Sequence, residues 1–413
     1  MDIRLLGTLL AAPALAAMAA PAMAEEWAGD GGLPGFYRWD QPIPARPGIM
    51  LRTETAPAEV ALPGAGRSER ILYSSTDWRD GRAATTVSGI VFFPKGTPPA
   101  GGWPVIAWAH GTTGIADPCA PSAMPRSGRD TQFLGHWLEQ GYAVVATDYA
   151  GLGTPGVHPY LQYRAEGISV LDAIRASLAR YPELNPAKVM TMGQSQGSEG
   201  AIAAAYLAPS YAPDLTIRGT VATGLVAHTD NPGKAPQVAI PQIYLDDGDY
   251  GNSAYEILWF LGTARSADPE AIRPQDYLSA GGWAMLAKAQ TTCMGGLRAF
   301  ANEQKLPFSE FYKRPFDDLE KATGSLSSFP DVRISTPVFT GTGLEDKDAI
   351  PAKQYNFISA MCAAGTTVEW HYYPGEDHSS AVPAALADAP AFVKAAMNGE
   401  KIAGNCDALK KPQ

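Results

Sequence analysis

Along this chain, short apolar runs rich in β-branched residues alternate with segments whose apolar positions recur every three or four residues. The runs at Val105–Ala109, Tyr142–Asp148, Lys188–Met192, Ile217–Thr223, Val338–Thr342 and Val368–Tyr373 read as strands. Between the second and third of them, Ile168, Leu171, Ile174 and Leu178 line one face of a helix. Strand, helix and strand in series predict a mostly parallel, doubly wound α/β sheet. Ahead of it, Ile71–Thr76 and Thr85–Pro94 flank Asp77-Trp-Arg-Asp-Gly81. The alternation of Val87, Gly89, Val91 and Phe93 there predicts an antiparallel edge hairpin.

Two intervals break the rhythm. Residues 25–66 are rich in Gly and Pro and are expected to wrap the surface without a core of their own. Residues 228–335 contain no βαβ unit but do carry apolar clusters such as Ala254–Leu261 and Gly282–Ala287. That stretch is too long for a loop and predicts a helical insertion. It follows the sixth strand, counting the hairpin, and precedes the seventh. It would therefore cover the carboxyl edge of the sheet as a cap or lid, unless it packs on the sheet's flank instead. The expected organisation is a leader at 1–24, a first core segment at 25–227, the cap at 228–335, and a second core segment with a tail at 336–413.

The leader reads as a signal peptide, with Arg4, an apolar stretch from Leu5 to Ala20 and the small-x-small site Ala22-Met-Ala24. A mature chain from Glu25 would reside in a periplasm or outside the cell. Four cysteines, Cys119, Cys293, Cys362 and Cys406, suit that oxidising setting and allow three pairings. We expect Cys119–Cys293 and Cys362–Cys406, because the last two share one C-terminal segment and would staple its final helix and tail. A length of 413 residues accommodates one large core with a subdomain. The net charge of −10 favours neither nucleic acid nor an anionic membrane surface.

The chemistry centres on Gly193-Gln-Ser-Gln-Gly197, where an apolar strand breaks and an Ala-rich helix begins. G-x-S-x-G between strand and helix is a nucleophile elbow, with Ser195 exposed at its tip. Of six histidines, His110 ends a strand, His136 sits in a helix, His158 lies in a loop, His228 opens the insertion and His371 lies within a strand. Only His378, in Tyr373-Pro-Gly-Glu-Asp-His378, follows the last strand, where a catalytic base belongs in the order Ser, acid, His. Gly341-Thr-Gly-Leu-Glu-Asp-Lys-Asp348 offers Glu345, Asp346 and Asp348 as the orienting acid. Any of them could reach, and Asp346 is preferred to Asp348. Oxyanion donors are expected from the N–H groups of Gln196 and of Thr112, with Thr113 as the alternative to Thr112. Tyr149, at the end of the fourth strand, is a candidate substrate-binding residue. No metal or other cofactor is implied, since Asp246-Asp-Gly-Asp249 lacks the spacing of a calcium loop.

Together, Ala109-His-Gly-Thr-Thr-Gly114, Asp148-Tyr-Ala-Gly-Leu-Gly153, His158-Pro-Tyr160, Gly193-Gln-Ser-Gln-Gly197 and Tyr211-Ala-Pro-Asp-Leu215 resemble the secretory lipase (lipase A-like) family of α/β-hydrolases. The resemblance runs from about Trp103 to His378. It implies carboxylic ester hydrolysis by Ser195, Asp346 and His378, a large helical lid and two disulfides. Expected partners are small-molecule or lipid esters, with transient lipid-interface contact through the cap; no oligomeric state is implied. The chain departs from the family pattern at Ser198, where a Gly is usual, and by one extra residue before Ile350-Pro351. The same triad would also serve an acyltransferase or a serine peptidase, and a retired hydrolase fold could serve binding alone.

Overall fold

The computed structural model describes residues 29–241, 250–265, 267–323 and 326–412. The leader at 1–24 and the acidic Asp246-Asp-Gly-Asp249 lie outside them. Strand β1 is Met50–Thr55, β2 Arg67–Thr76, β3 Ala84–Phe93, β4 Trp103–Ala109, β5 Ala143–Thr147, β6 Leu184–Gln194, β7 Ile217–Thr223, β8 Val338–Gly343 and β9 Val368–Tyr373. They form one nine-stranded sheet of order β1-β2-β3-β5-β4-β6-β7-β8-β9. Pairing is antiparallel from β1 through β3 to β5 and parallel throughout the remainder. This is the arrangement of an α/β-hydrolase fold.

Alternation along β4 explains why helices cover both faces. Val105, Ala107 and Ala109 enter one apolar cluster, while Ile106 and Trp108 enter another. On the first face lie α2 (Tyr163–Arg180) and α3 (Gln196–Tyr211); on the second lie α1 (Gly128–Glu139) and the C-terminal helices described below. Helix α1 starts at Ser127, whose side chain caps it by accepting from Asp130 N–H. The 25–66 interval is not a mere wrap. Met50–Thr55 pairs with β2 as β1, so the expected hairpin is one strand removed from the edge. Polar Arg52 and Glu54 and the short run hid this strand from a reading of hydrophobic periodicity.

Between β7 and β8 come α4 (Ala254–Trp259), α5 (Pro274–Tyr277), α6 (Ala280–Ala289), α7 (Met294–Gln304) and α8 (Phe316–Thr323). They share their own apolar cluster, including Ile257, Leu258, Phe260, Met285, Leu297 and Phe311. The flanks of this insertion belong elsewhere. Leu225, Ala227, Ala235, Phe329, Val332 and Ile334 pack with Ile202 of α3 and Phe357 of α9 (Pro351–Ala363). A bridge between His228 and Ser328 closes its base. The helices with a separate core thus occupy a narrower interval than 228–335.

After β9, α10 (Ala381–Ala384) and α11 (Ala389–Asn398) pack on the second face, and the tail turns back to β9. There the Asn405 N–H donates to Val368 O, and its side chain both donates to Trp370 O and accepts from Trp370 N–H. Cys362 and Cys406 are disulfide-bonded, as are Cys119 and Cys293. In a chain-entropy account, closing a loop across the 44-residue separation of Cys362 and Cys406 contributes up to about 4 kcal/mol. The double variant Cys362→Ala/Cys406→Ala should lower the unfolding free energy measured in urea by no more than that bound and leave the far-ultraviolet spectrum intact.

Candidate active site

The geometry begins with backbone clearance. Ser195 adopts φ 57° and ψ −126°, a conformation that L-residues rarely populate and that persists only where the surroundings enforce it. An added Cβ at Gly193 would fall 1.8 Å from Gly197 O, and one at Gly197 would fall 1.9 Å from Ala109 O. Both positions therefore exclude any side chain. The elbow is fastened on two sides: Ser195 N–H donates to Thr223 O (3.0 Å), and Ser198 N–H donates to Ser195 O (2.8 Å). Ser198, the departure from the family pattern, uses its hydroxyl as a further tie. It donates to Ser195 O (2.6 Å) and accepts from Val226 N–H (3.2 Å), joining the elbow to the loop after β7.

His378 lies on the loop after β9, and its Nδ1–H donates to Asp346 Oδ2 at 2.8 Å. Asp346 is buried, and the loop after β8 surrounds it with donors. Asp348 and Ala349 N–H groups reach Oδ1 at 3.0 and 2.7 Å, and Gln354 Nε2 reaches Oδ2 at 3.1 Å. Glu345 and Asp348 are exposed and do not touch His378; Asp348 instead accepts from Tyr255 of α4 (3.3 Å). Gln354, in the first turn of α9, was invisible to motif reading because it is defined only by what it bridges. Its Oε1 accepts from Leu225 N–H (3.0 Å) and Thr342 Oγ1–H (2.9 Å) while its amide holds the acid. The other imidazole nitrogen, His378 Nε2, is buried and has no hydrogen-bond partner. Gly224 lies beside this ring, where a Cβ would sit 2.9 Å from His378 Nδ1.

Parallel pairing sets Ala109 of β4 against Gly193 of β6, so the loop after β4 runs past the elbow. A Cβ on Gly111 would meet Ser195 Cβ at 3.5 Å. Gln196 is the first residue of α3, and the leading amides of a helix have no carbonyl within it to receive them. Thr112 is held from its side chain, which pairs with Tyr160 Oη at 2.9 Å. Thr113 O accepts from Met294 N–H (2.8 Å), and the Cys119–Cys293 bond lies one residue away. The insertion thus grips the Gly111–Gly114 loop directly. It grips the 158–160 loop through Thr263 Oγ1, which donates to Tyr160 O, and the loop after β8 through Tyr255.

Tyr149 differs from the expectation. It is fully buried with φ 69°, donates its hydroxyl to His110 O (3.0 Å) and stacks on His158. Having no free face or hydroxyl, it supports the two loops instead of lining open space. Burial pushes the His158 imidazole down to about 3 and also lowers His110, so both are neutral at pH 7. His371 stacks on Phe339 and faces Glu369 and Asp388, away from the elbow. Among the described residues, no group of three or more His, Cys, Asp or Glu is placed to hold a metal ion.

Residues 125–232 match the family described as Secretory lipase, and residues 279–399 match the Prolyl oligopeptidase family. Lipase A of Moesziomyces aphidis is 24% identical over 97% of this chain and 88% of its own length. Secreted triacylglycerol lipase LIP7 of Malassezia globosa is 24% identical over 89% and 79%. Among solved structures, Candida antarctica lipase A in its closed state superposes with a TM-score of 0.70 at 21% identity, covering 91% of this chain and 89% of that one. The rice cell wall degrading esterase LipA from Xanthomonas oryzae gives 0.60 at 16% identity, covering 88% and 100%.

The elbow's clearance is directly testable. Gly197→Ala should destabilise the protein by about 3 kcal/mol or more, because backbone and not a flexible side chain must move. Ser198→Ala removes the two hydroxyl bonds but keeps the Ser198 N–H tie, and should cost about 1–2 kcal/mol. Chemical denaturation of both variants beside the parent chain measures the difference.

Proposed function

We infer that this chain, a relative of the secretory lipases built on the α/β-hydrolase fold, is a carboxylic ester hydrolase that works through an acyl-enzyme on Ser195. The observation that carries the reading is the pairing of His378 Nδ1 with the buried, donor-rich Asp346, which leaves Nε2 without a partner, while Gln194 of the elbow donates to His378 O at 3.3 Å. With its proton fixed on Nδ1, the imidazole presents the Nε2 lone pair as a base, and Asp346 stabilises the imidazolium that forms.

In the proposed cycle, Nε2 takes the Ser195 proton as Oγ attacks the ester carbonyl. The N–H groups of Gln196 and Thr112 receive the developing oxyanion, assisted by the positive end of α3. The carbon–oxygen bond to the alcohol then breaks, and the alcohol leaves with the proton from His378. Water repeats the sequence: it gives a proton to His378 as it attacks the acyl carbonyl, and the bond to Oγ then breaks, freeing the acid while His378 returns the proton to Ser195. The helical insertion acts as the lid, since it holds the oxyanion loop, the 158–160 loop and the acid loop at once. Lipid esters are the proposed substrate class, in line with relatives named as lipases. Export through the 1–24 leader fits two disulfides and the secreted relative. Among the described residues, no helix is long and apolar enough to cross a membrane.

The Prolyl oligopeptidase match spans Asp346 and His378 and supplies a second reading, peptide cleavage by the same residues. The deciding assay compares the protein with Ser195→Ala on p-nitrophenyl esters from acetate to palmitate and on peptide p-nitroanilides. Ester hydrolysis should vanish in Ser195→Ala, and Asp346→Asn should lower kcat by roughly 10⁴ through loss of the correct imidazole tautomer. Turnover of the anilides alone would move the assignment to a peptidase.

A further inference from the structure

A second polar cluster, unused by the cycle above, is enclosed against the first turn of α3. Glu166 in the first turn of α2 and Glu199 in the first turn of α3 are 0% and 1% exposed. The two helices approach closely at Gly200, where an added Cβ would lie 3.2 Å from Tyr149 Oη and 3.4 Å from Glu166 Oε2. Gln196, the residue after the nucleophile, reaches into the same space. Its Nε2 donates to Glu166 Oε1 (2.8 Å) and to His158 Nε2 (2.7 Å). His158 can accept there because its own proton sits on Nδ1 and is donated to Ala150 O (3.0 Å). Leu161 N–H provides a second donor to Glu166 Oε1 (3.0 Å).

Three oxygens are left over. Glu166 Oε2, Glu199 Oε1 and Gln196 Oε1 are buried with no hydrogen-bond partner. If both carboxyls were ionised, all three would be acceptors, and the surroundings hold no protein donor to spare. Tyr149 has committed its hydroxyl to His110 O, and Tyr160 is paired with Thr112. His158 and His110 are neutral. Tyr163 packs on Phe329 and Tyr206, and Arg164 beside it is exposed. No salt bridge reaches either glutamate among the described residues. Only a proton on the carboxyls themselves turns one of these acceptors into a donor.

We propose that Glu166 and Glu199 are both protonated at neutral pH and act as a positioning pair, locking Gln196 behind the oxyanion hole while keeping negative charge away from the N-terminus of α3. Burial is the largest influence on both groups and raises both; it pushes Glu166 up to about 8 and Glu199 well above the usual carboxylate range. The Leu161 and Gln196 N–H groups favour the ionised form of Glu166 but do not outweigh burial. The sign of the pH effect follows. Below about pH 8 the pair is neutral and the positive end of α3 is fully available to the oxyanion. Above it, a carboxylate competes for the same helix end and repels the charge developing on the substrate. Because that charge exists only in the transition state, the loss falls on kcat more than on KM.

This inference rests on Ser195 hydrolysing esters, so the test includes a readout that needs no turnover. Infrared difference spectra of Ser195→Ala against Ser195→Ala/Glu166→Gln/Glu199→Gln at pH 7 should contain a protonated carboxylic-acid C=O band. That band should diminish as the pH rises from 7 to 10. Its absence, or its failure to depend on the two glutamates, overturns the proposal whatever the ester assay shows. In the active protein, kcat should fall about tenfold from pH 7.5 to 9.5, less than the loss of a whole oxyanion donor. The same ratio should be near one in Glu166→Gln/Glu199→Gln, which can hold no negative charge. Glu166→Ala should lose kcat, and Glu166→Gln should recover most of it by keeping an acceptor for Gln196. An identical alkaline decline in the parent and in the double Gln variant overturns the coupling to catalysis. A band that is present while the parent turns over no ester leaves the proton pair standing and removes the ester reading instead.

Discussion

The close approach of three backbone segments at Ser195 is the constraint on which the remainder of this architecture depends. Gly197 lies against the carbonyl of Ala109, and Gly193 lies against the carbonyl of Gly197. Only residues without Cβ allow β6 to turn into α3 while touching the end of β4. That contact puts the Gly111–Gly114 loop beside the serine and forces Ser195 into a strained backbone conformation. The strain is offset by the Thr223 and Ser198 ties and by the apolar burial of α3 between α2 and the sheet. A relaxed elbow would move Ser195 away from the Gly111–Gly114 loop that now lies against it.

The acid side is organised by the opposite means, through donors instead of clearance. Asp346 is buried with two amides on one oxygen and a Gln354 amide plus the imidazole on the other. Both oxygens of this buried carboxyl therefore meet donors, as burial of a polar group demands. Glu166 and Glu199 are also buried, yet Glu166 Oε2 and Glu199 Oε1 meet no donor. Carboxyls at similar depth in one molecule thus differ in how completely hydrogen bonds surround them. The helical insertion connects these regions, since it holds the Gly111–Gly114 loop, Tyr160 and Asp348 together and is anchored covalently at Cys293.

Periodicity and motif spacing made most of the scaffold legible before any coordinates. The apolar runs located eight of the nine strands, and only β1 escaped, because an edge strand buries little and so leaves a faint pattern. Glycine at 193 and 197 announced a tight elbow because no other residue meets its steric demand. The place of His378 after the last strand followed from chain order. Among Glu345, Asp346 and Asp348, by contrast, spacing favoured Asp346 but left all three within reach on one loop.

Tertiary packing alone decided the rest. It brought Asp346 to His378 by turning the other two carboxylates outward, and it recruited Gln354 from α9 and Ser198 from α3 as ties that no local signal marks. It removed Tyr149 from any open surface by spending its hydroxyl on His110 O. It also brought Glu166 and Glu199 together from different helices, although each alone reads as an ordinary acidic residue in a helix's first turn. A chain's pattern determines which elements form and where a backbone must be bare, because those demands are local. Which polar atoms meet, and therefore which hold a proton, depends on the enclosure that distant segments build together.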